Sequence, residues 1–401
     1  MAYNVERIRA DFPSLQSGTA YFDGPGGSQT PRIVAQAMEQ AMIAPLSNRG
    51  VNTESERNAD EIVLEYRSAV ADLVGGDAGG VVFGRSWTQL AYDFSRTLAK
   101  SWGPEDEIIV STLDHDSNIR PWVQAAESRG VTVKWATFDS TTGELPVEAV
   151  VQHLSTKTKF VAITGAANAI GTKPDLVAIG KEVHSAGALF AVDGVHLTPH
   201  SPIDMKAMGA DFFGFSSYKM MGPHCATMIA DPALLESLNN DKLLPSTMAV
   251  PERFEFGTLP YEILAGVIAA INYTATLDAE AKGTRREQIL FSMASLDKYE
   301  HSLFSYLEAE IAQVEGITTF GQAKDRTPTI FFQLKNIESA DVYKALAAKK
   351  INAPASNFYA LECSRALGLG DAGAVRAGLA PYSTREDVDR LVSALKELAR
   401  N

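Results

Sequence analysis

Short apolar segments alternate with helix-length segments through the first two thirds of this 401-residue chain. Several of the short segments are apolar on both faces, as expected for strands that helices cover on both sides. The pattern predicts an α/β fold with a mainly parallel sheet and right-handed crossover connections. The six predicted strands are Gly80–Phe83, Glu107–Ser111, Val131–Lys134, Lys159–Thr164, Ala188–Val192 and Asp211–Phe215.

The pattern changes near Leu264, where long helical segments begin and shorter α+β-like segments follow. Chains of this length usually form more than one domain. We therefore expect a large domain of residues 16–265 and a smaller α+β domain of residues 266–401, which also includes residues 1–15. The main elements expected after the change are helices at Gly266–Lys282, Arg286–Val314, Ala340–Lys349 and Glu386–Arg400, and a strand at Thr329–Leu334.

The charge and cysteine content exclude several kinds of partner. The formal net charge is -13, and without a basic cluster such a chain is not expected to bind nucleic acid or an anionic membrane. No apolar segment approaches the roughly 20 residues of a membrane-spanning helix, and the charged first ten residues do not resemble a signal peptide. Cys225 and Cys363 form neither a disulfide framework nor a metal-ligand pattern. We expect a cytoplasmic protein with no metal site and no membrane partner.

Polar side chains follow four of the predicted strands, at the point where each strand ends. Ligands of open α/β sheets bind beyond the carboxyl ends of the strands, so these side chains should meet in one pocket. Lys219 is the most informative of them, because burial would lower the pKa of its amine and make the amine nucleophilic. Schiff-base chemistry requires such an amine. The other candidates are His115, Asn168, Asp193 and His196.

Each of these residues has an ordinary structural explanation when it is considered alone. Together they match an aromatic cofactor, because an imidazole can stack on a ring and an amide can bond to a phenolic oxygen. A carboxylate can pair with a ring nitrogen, and an amine can condense with an aldehyde. Pyridoxal phosphate has all of these groups, and its protonated ring serves as an electron sink. The residues therefore predict a pyridoxal-phosphate site.

The same segments resemble the class V aminotransferase group of fold-type I pyridoxal-phosphate enzymes, a group that includes the cysteine desulfurases. The resemblance covers nearly the whole chain and starts at Tyr21–Pro31. It implies the fold of that group, with a mainly parallel seven-stranded sheet in the large domain and a smaller α+β C-terminal domain. It also implies a homodimer in which the two subunits share their active sites.

The resemblance assigns roles to individual residues. Lys219 would be the Schiff-base lysine, Asp193 would pair with the ring nitrogen, and His115 would stack on the ring. The residues assigned to the cofactor are Trp87, Thr88, His115, Asn168, Asp193, His196, Ser216, Tyr218 and Lys219, with Thr258 reaching the phosphate of the partner subunit. Arg376 would bind the substrate carboxylate, which a guanidinium group fits with two hydrogen bonds, and Asn52 would lie at the substrate entrance.

The chain departs from the desulfurases in a mobile loop, where those enzymes carry a nucleophilic cysteine. The matching segment here is Pro354–Ala360, and Tyr359 occupies the cysteine position. Persulfide formation requires a thiolate, which a tyrosine cannot replace. His196, Tyr218 and Asn52 also replace the glutamine, histidine and histidine that desulfurases typically carry.

These observations predict a pyridoxal-phosphate enzyme that acts on an amino acid through Lys219, namely a class V aminotransferase or a C–S or β-lyase. Transamination, elimination and racemisation use the same groups, and the residues do not select among them. The alternative is a cysteine desulfurase or selenocysteine lyase that uses Cys363 or no protein thiol. A cofactor-free binding module is disfavoured by the complete set of polar groups. A nicotinamide enzyme is disfavoured because no Gly-x-Gly-x-x-Gly follows a strand.

Overall fold

The chain forms thirteen strands in a computed structural model, which describes residues 3–400. The strands are β1 (Ala20–Tyr21), β2 (Val81–Gly84), β3 (Glu107–Ser111), β4 (Thr132–Ala136), β5 (Thr158–Thr164), β6 (Leu189–Asp193), β7 (Phe212–Ser216), β8 (Ala226–Ala230), β9 (Ile317–Phe320), β10 (Thr329–Leu334), β11 (Ile351–Asn352), β12 (Ala355–Ser356) and β13 (Ala374–Gly378).

Seven of these strands form the central sheet, in the order β2-β8-β7-β6-β5-β3-β4. The neighbouring strands β7, β6, β5, β3 and β4 are parallel, and β8 runs antiparallel to both β7 and β2. The antiparallel direction of β8 follows from its short connection to β7, since a parallel pair needs a long crossover. The predicted α/β fold with a mainly parallel sheet is confirmed.

The helices connect the strands and cover the sheet. They are α1 (Val5–Ala10), α2 (Arg32–Ile43), α3 (Glu54–Val74), α4 (Trp87–Ala99), α5 (Arg120–Glu127), α6 (Val147–Val151), α7 (Leu176–Ser185), α8 (Pro232–Ser237), α9 (Tyr261–Ala275), α10 (Arg285–Ile311), α11 (Ser339–Ala348), α12 (Leu361–Ala366) and α13 (Arg385–Leu398). No helix within residues 3–400 is both long and apolar enough to cross a membrane.

The central sheet is buried on both faces. Along β5, Val161 and Ile163 pack in one apolar cluster with α3, α7 and α9, whereas Phe160 and Ala162 pack in a second cluster with α4 and α5. Alternation of side chains between the two faces of a strand places neighbouring residues in different clusters. This is why the strands read as continuous apolar segments in the sequence.

A second sheet, with the order β12-β13-β10-β9, is antiparallel, and β1 pairs with β11. A third apolar cluster forms around these strands from side chains of residues 20–22 and 303–395. The predicted division into residues 16–265 and 266–401 with 1–15 stays a prediction. Its boundary falls within α9, whose residues Leu264, Val267 and Ile271 pack in the cluster of the central sheet.

Candidate functional site

The polar groups predicted from the strand ends lie at the carboxyl ends of four neighbouring parallel strands, β7, β6, β5 and β3. Thr164 at the end of β5 pairs with Asp193 on β6, and Asp193 in turn pairs with Gly214 on β7. The structure therefore brings together residues that are far apart in the chain. The fold achieves this because parallel strands end at the same edge of the sheet.

Two adjoining cavities open at this edge, an inner one of about 70 Å³ and an outer one of about 610 Å³. Asp193, His196, Trp87 and Ser216 line the inner cavity, and Arg376 lines the outer one. The residues that line both are Thr88, His115, Ser117, Asn168, Tyr218 and Lys219. Ten of the twelve residues predicted for the site thus surround one continuous space.

Lys219 ends the short 3₁₀ turn Ser217–Lys219, directly after β7, and is 8% exposed. Its amine has no hydrogen-bond or ion-pair partner among residues 3–400. Burial lowers the pKa of Lys219 to about 8, and the positive charge of Arg376 acts in the same direction. At neutral pH about a tenth of this amine is therefore uncharged and nucleophilic, far more than for an ordinary lysine, as the sequence predicts.

Asp193 supplies the carboxylate of the inner cavity. Its Oδ1 accepts a hydrogen bond of 2.9 Å from the backbone N–H of Val195, which fixes its orientation. Burial raises the pKa of Asp193 to about 6, and the Val195 N–H and the charge of Lys219 oppose that shift. A protonated ring nitrogen beside this carboxylate would favour its ionised form.

Trp87 reaches the inner cavity because β7 has no side chain at residue 214. A Cβ atom on Gly214 would lie 1.7 Å from the Trp87 ring. Only glycine allows this approach, since any Cβ would overlap the indole. The indole thus packs directly on the strand that leads to Lys219.

Three buried polar atoms on residues that line the inner cavity have no hydrogen-bond partner among residues 3–400. They are Trp87 Nε1, Asn168 Oδ1 and His196 Nδ1. The other side of His196 is anchored, because its Nε2 lies 2.9 Å from Thr327 Oγ1 and 3.1 Å from Thr329 Oγ1. Unpaired buried polar atoms are costly, and a cluster of them indicates a site for a polar ligand. The donors and acceptors of pyridoxal phosphate fit these residues.

His115 lies at the border of the two cavities. Its Nδ1 contacts the hydroxyl of Ser117 at 2.7 Å and the Ser117 N–H at 3.0 Å. Burial, together with the charges of Lys219 and Arg376, lowers the pKa of His115 to about 3. The imidazole is therefore neutral and oriented, as a ring that stacks on a cofactor should be.

The amino terminus of α4 faces the inner cavity. Ser86 caps this helix by accepting a hydrogen bond from the Gln89 N–H, and Trp87 and Thr88 are its first two residues. The first N–H groups of a helix have no partner within the helix and favour an anion such as phosphate. Ser216 and Tyr218 line the same cavity and supply further hydroxyl groups.

Arg376 on β13 is 2% exposed and lies at the wall of the outer cavity. Its Nη2 pairs with Asp23 Oδ1 at 2.8 Å, and its Nη1 donates to the backbone carbonyl of Asn168 at 3.1 Å. The ring of Phe358 covers the guanidinium at 3.7 Å. The Nε atom has no partner among residues 3–400, so one buried donor remains for a ligand.

A family model described as aminotransferase class-V matches residues 20–391 of the chain. The chain belongs to the class-V aminotransferase family. It is 36% identical over 401 residues to an uncharacterized protein of Mycobacterium tuberculosis, covering 99% of this chain and 100% of the relative. It is also 29% identical over 427 residues to a probable cysteine desulfurase of Staphylococcus aureus, covering 99% and 97% of the two chains.

The fold of this class-V family member is also that of a solved structure. The cysteine desulfurase CsdA from Escherichia coli superimposes with a TM-score of 0.87 over 100% of this chain and 99% of that chain, at 24% identity. The predicted family and fold are therefore confirmed.

Two residues that the class-V resemblance assigned to the site do not line the cavity of their own chain. Asn52 and Thr258 are both exposed. Thr258 Oγ1 instead lies 3.5 Å from Asn48 Oδ1, in the segment that also carries Asn52. Their predicted roles, at the substrate entrance and at the phosphate of a partner subunit, remain predictions.

The position of Cys363 does not favour a role as a sulfur acceptor. It is fully buried within α12, does not line either cavity, and burial raises the pKa of its thiol to about 12. Tyr359, which the resemblance assigns to the cysteine position of the desulfurases, is 72% exposed and lines the outer cavity. Of the two versions of the desulfurase alternative, the one that uses Cys363 is disfavoured, and the one that uses no protein thiol remains.

Sequence reasoning missed two features of the class-V site. The first is Asp23, which pairs with Arg376 although the two residues are far apart in the chain. The second is the contact of Phe358 and Tyr359 with Arg376 and His115. Asp23 lies within the Tyr21–Pro31 segment that carries part of the family resemblance, so that segment was the available signal.

Proposed function

We propose that this protein is a pyridoxal-phosphate enzyme that acts on an amino acid, with Lys219 as the residue that attaches the cofactor. The observation that carries the proposal is the buried, unpartnered amine of Lys219 in one cavity with Asp193 and three unpaired polar atoms. When bound, the cofactor supplies an aldehyde that condenses with amines and a ring that accepts electrons from the substrate.

Each side chain has a part that its position supports. Asp193 would hold a proton at the ring nitrogen, and His115 would cover one face of the ring. His196 would donate from its free Nδ1 to the ring oxygen, and the free Oδ1 of Asn168 would accept a hydrogen bond from that oxygen as a hydroxyl. The residues that would hold the phosphate are Trp87, Thr88, Ser216 and Tyr218, with Thr258 from a partner subunit.

Lys219 has a second task after a substrate amine takes its place on the cofactor. Its Nζ, then free, would take the proton from the substrate Cα and return it to a neighbouring carbon. The lowered pKa of Lys219 suits this exchange, since an acid–base group works best when its pKa lies near the working pH. Arg376 would bind the substrate carboxylate through its free Nε, and Asn52 would contribute at the entrance.

The reaction that these groups support best is that of an aminotransferase or of a C–S or β-lyase. The buried position of Cys363 and the presence of Tyr359 in the loop weigh against a protein persulfide. A desulfurase or selenocysteine lyase that releases sulfur or selenium directly uses the same cavity and is distinguished by its product. A cytoplasmic location is part of the proposal and fits the two free cysteines.

We also propose that the protein works as a homodimer with shared active sites. The end of α2 and the segments 44–53 and 238–258 carry large exposed apolar side chains, which mark interaction sites where they lie together. The two segments are joined by the ion pair of Arg49 with Glu252 at 3.1 Å. Asn52 and Thr258 lie in this region, so a partner subunit would receive them. The exposed apolar side chains are Met42, Ile43, Val51, Leu243, Leu244, Met248 and Phe256.

The visible spectrum of the purified protein tests the cofactor proposal. We expect a visible absorbance band of bound pyridoxal phosphate. Sodium borohydride should remove this band and link the cofactor irreversibly to the protein, and Lys219→Ala should lose this linkage. A panel of amino acids then separates the reactions: a released keto acid indicates an aminotransferase, whereas released sulfide or pyruvate indicates a desulfurase or lyase. A protein that binds no cofactor would refute the proposal.

The dimer is tested by light scattering and by subunit mixing. Leu244→Asp should favour the monomer, because Leu244 is 97% exposed in one chain and has no folding role there. If the sites are shared, Lys219→Ala mixed with Thr258→Ala should regain activity that neither variant has. A monomeric, fully active wild-type protein would contradict this part of the proposal.

A further inference from the structure

The segment Ser356–Ala360, which we call the strap, crosses the wall of the outer cavity in an unusual conformation. Phe358 and Tyr359 have φ angles of 52° and 58°, in the left-handed region that few side chains other than glycine adopt. Two such residues in succession are a strained arrangement that surrounding contacts must hold. The strap therefore has a fixed shape that the sequence alone does not favour.

On the side that faces the cavity, Asn168 and Asp116 hold the strap through hydrogen bonds to its backbone. Asn168 Nδ2 donates to the carbonyl of Phe358 at 2.9 Å, and the backbone N–H of Asp116 donates to the carbonyl of Tyr359 at 2.7 Å. On the other side, Asn357 Nδ2 donates to the carbonyl of Asp371 at 2.8 Å. These contacts fasten both strained peptides to residues that neighbour the cofactor pocket.

The strap places two aromatic rings at the outer cavity. The Phe358 ring covers Arg376, the proposed carboxylate site, and the Tyr359 ring stacks on His115 with centroids 5.6 Å apart. Other large, neutral side chains face the same space. The aromatic and proline residues that line the outer cavity are Pro25, Tyr92, Pro121, Tyr218, Phe358 and Tyr359.

Apart from Lys219, the charged side chains that line the outer cavity are already in ion pairs. Arg120 Nε lies 2.9 Å from Asp116 Oδ1, and its Nη2 pairs with Glu362. Asp23 pairs with Arg376, whose Nε is the buried donor left free. An acidic substrate side chain would meet an Arg120 whose charge carboxylates already balance, and a basic one would meet carboxylates that arginines already balance. Neither would gain a free counter-charge to offset its lost hydration, whereas a neutral side chain needs none.

We propose that the strap is a fixed wall that selects amino acids with a large neutral side chain, such as an aromatic one. This inference rests on the proposed function, because the substrate is placed by the cofactor and by Arg376. The substrate side chain would lie against Tyr359 and the neighbouring aromatic and proline residues, whose apolar surface a small side chain leaves uncovered. Tyr359 is the specificity-determining residue.

The first test measures binding of unreactive analogues to the full-length protein freed of its cofactor. The probes are reduced adducts in which the phosphopyridoxyl group is joined to the nitrogen of phenylalanine, alanine, glutamate or lysine. Isothermal titration should show that the phenylalanine adduct binds about tenfold or more tightly than the other three, since burial of a large apolar side chain is worth that factor. Circular dichroism confirms that the cofactor-free protein is folded.

The second test removes the Tyr359 ring without disturbing the backbone. Tyr359→Gly suits the positive φ at this position, so the variant should fold at least as well as the wild type. It should lose most of the preference for the phenylalanine adduct. The matched control is Asn336→Gly, which replaces another positive-φ residue, at φ 64°, that lines neither cavity. The control should keep the wild-type preference.

The outcomes separate this inference from the proposed function. Equal binding of all four adducts, or an unchanged preference in Tyr359→Gly, would overturn the inference while the cofactor proposal stands. Tighter binding of the glutamate or lysine adduct would overturn it as well, because the paired charges would then be open to the substrate. If no adduct binds, the proposed function fails and the inference falls with it.

Discussion

Arg376 and Asp23 form an ion pair of 2.8 Å in which the guanidinium is almost completely buried while the carboxylate is about one third exposed. The arginine keeps its Nε free, and the Asn168 carbonyl and the Phe358 ring fix its plane. The carboxylate of Asp23 thereby balances the buried charge of Arg376. Without it, the protein free of ligand would hold an unpaired buried cation, which is destabilising. The pair thus keeps the guanidinium in place at the proposed carboxylate site without leaving an isolated charge inside the protein.

Arg376→Ala should weaken the use of any α-amino acid substrate. The lost contact is a hydrogen bond to a charged group, worth about 1.5–3 kcal/mol, which corresponds to a rise in KM of roughly 10-fold to 150-fold. Steady-state kinetics with the best amino acid would measure it. Lys350→Ala, an exposed change that lies outside both cavities, serves as the control. An unchanged KM in Arg376→Ala would place the carboxylate site elsewhere.

Attachment of the cofactor should accelerate as the pH rises through about 8. Burial and the charge of Arg376 lower the pKa of Lys219 to that value, and only the neutral amine attacks an aldehyde. Stopped-flow absorbance would follow the reaction of pyridoxal phosphate with the cofactor-free protein between pH 6 and pH 10, and the rate should level off above the pKa. A rate that begins to rise only near the ordinary pKa of lysine would contradict the burial of this amine.

Neither cysteine should react with thiol reagents in the folded protein. Cys225 and Cys363 are buried, and burial raises the pKa of each thiol to about 12, so thiolate is scarce. Titration with a chromogenic disulfide should find no thiol in the native protein and two after denaturation, the number in the sequence. Tyr359→Cys is a positive control, because residue 359 is 72% exposed. Rapid native labelling of Cys363 would revive its role as a sulfur acceptor.

The free energy of unfolding should fall as the pH rises through about 7, and Asp114→Asn should make this fall smaller. Burial raises the pKa of Asp114 to about 7, although Ser111 and Asn118 donate hydrogen bonds to its carboxylate. The folded state therefore binds this proton more tightly than the unfolded state. This contribution is complete below the unfolded pKa and is lost as the pH rises through about 7.

Between pH 5 and pH 8 the size of the Asp114 effect is about 3 kcal/mol, because pH 5 lies about two units below the raised pKa. Thermal unfolding at pH 5 and pH 8 would measure it, with Asp341→Asn as an exposed control. The Asp114→Asn variant should show a smaller difference in Tm between the two pH values than either the wild type or the control. Equal differences in all three proteins would show that Asp114 is not the group responsible.

The sequence predicts the parallel strands well because each is a local apolar segment. Strands β3 and β10 have the predicted bounds, and the other five predicted strands are shifted by one or two residues. Strand β8 was not predicted, and its antiparallel direction depends on pairing with β2 and β7. The helix expected at Gly266–Lys282 instead spans Tyr261–Ala275. It ends there because Thr276 and Asp278 bond to nearby backbone groups.

The site was predictable where one short motif carried each group, as for Lys219 and the residues at the strand ends. It was not predictable where two distant segments meet. The pairing of Asp23 with Arg376 requires β13 to lie beside the segment after β1, and an isolated bridge from Asp23 to Gly378 brings these segments together. The left-handed backbone of Phe358 and Tyr359 has no local signal, because neither residue type favours that conformation.

The pairing of β10 with β13 has a consequence for redesign of this protein. Phe331 on β10 pairs with Arg376, and Thr329, two residues earlier on the same strand, contacts His196 at the inner cavity. One ladder of backbone hydrogen bonds therefore positions both Arg376, the proposed carboxylate site, and His196, the proposed partner of the cofactor ring. An engineer who shifts this ladder to accommodate a new substrate would disturb both at once. Residue 359 itself lies outside the β10–β13 pairing, so a substitution there would alter the proposed wall of the cavity without shifting β10 against β13.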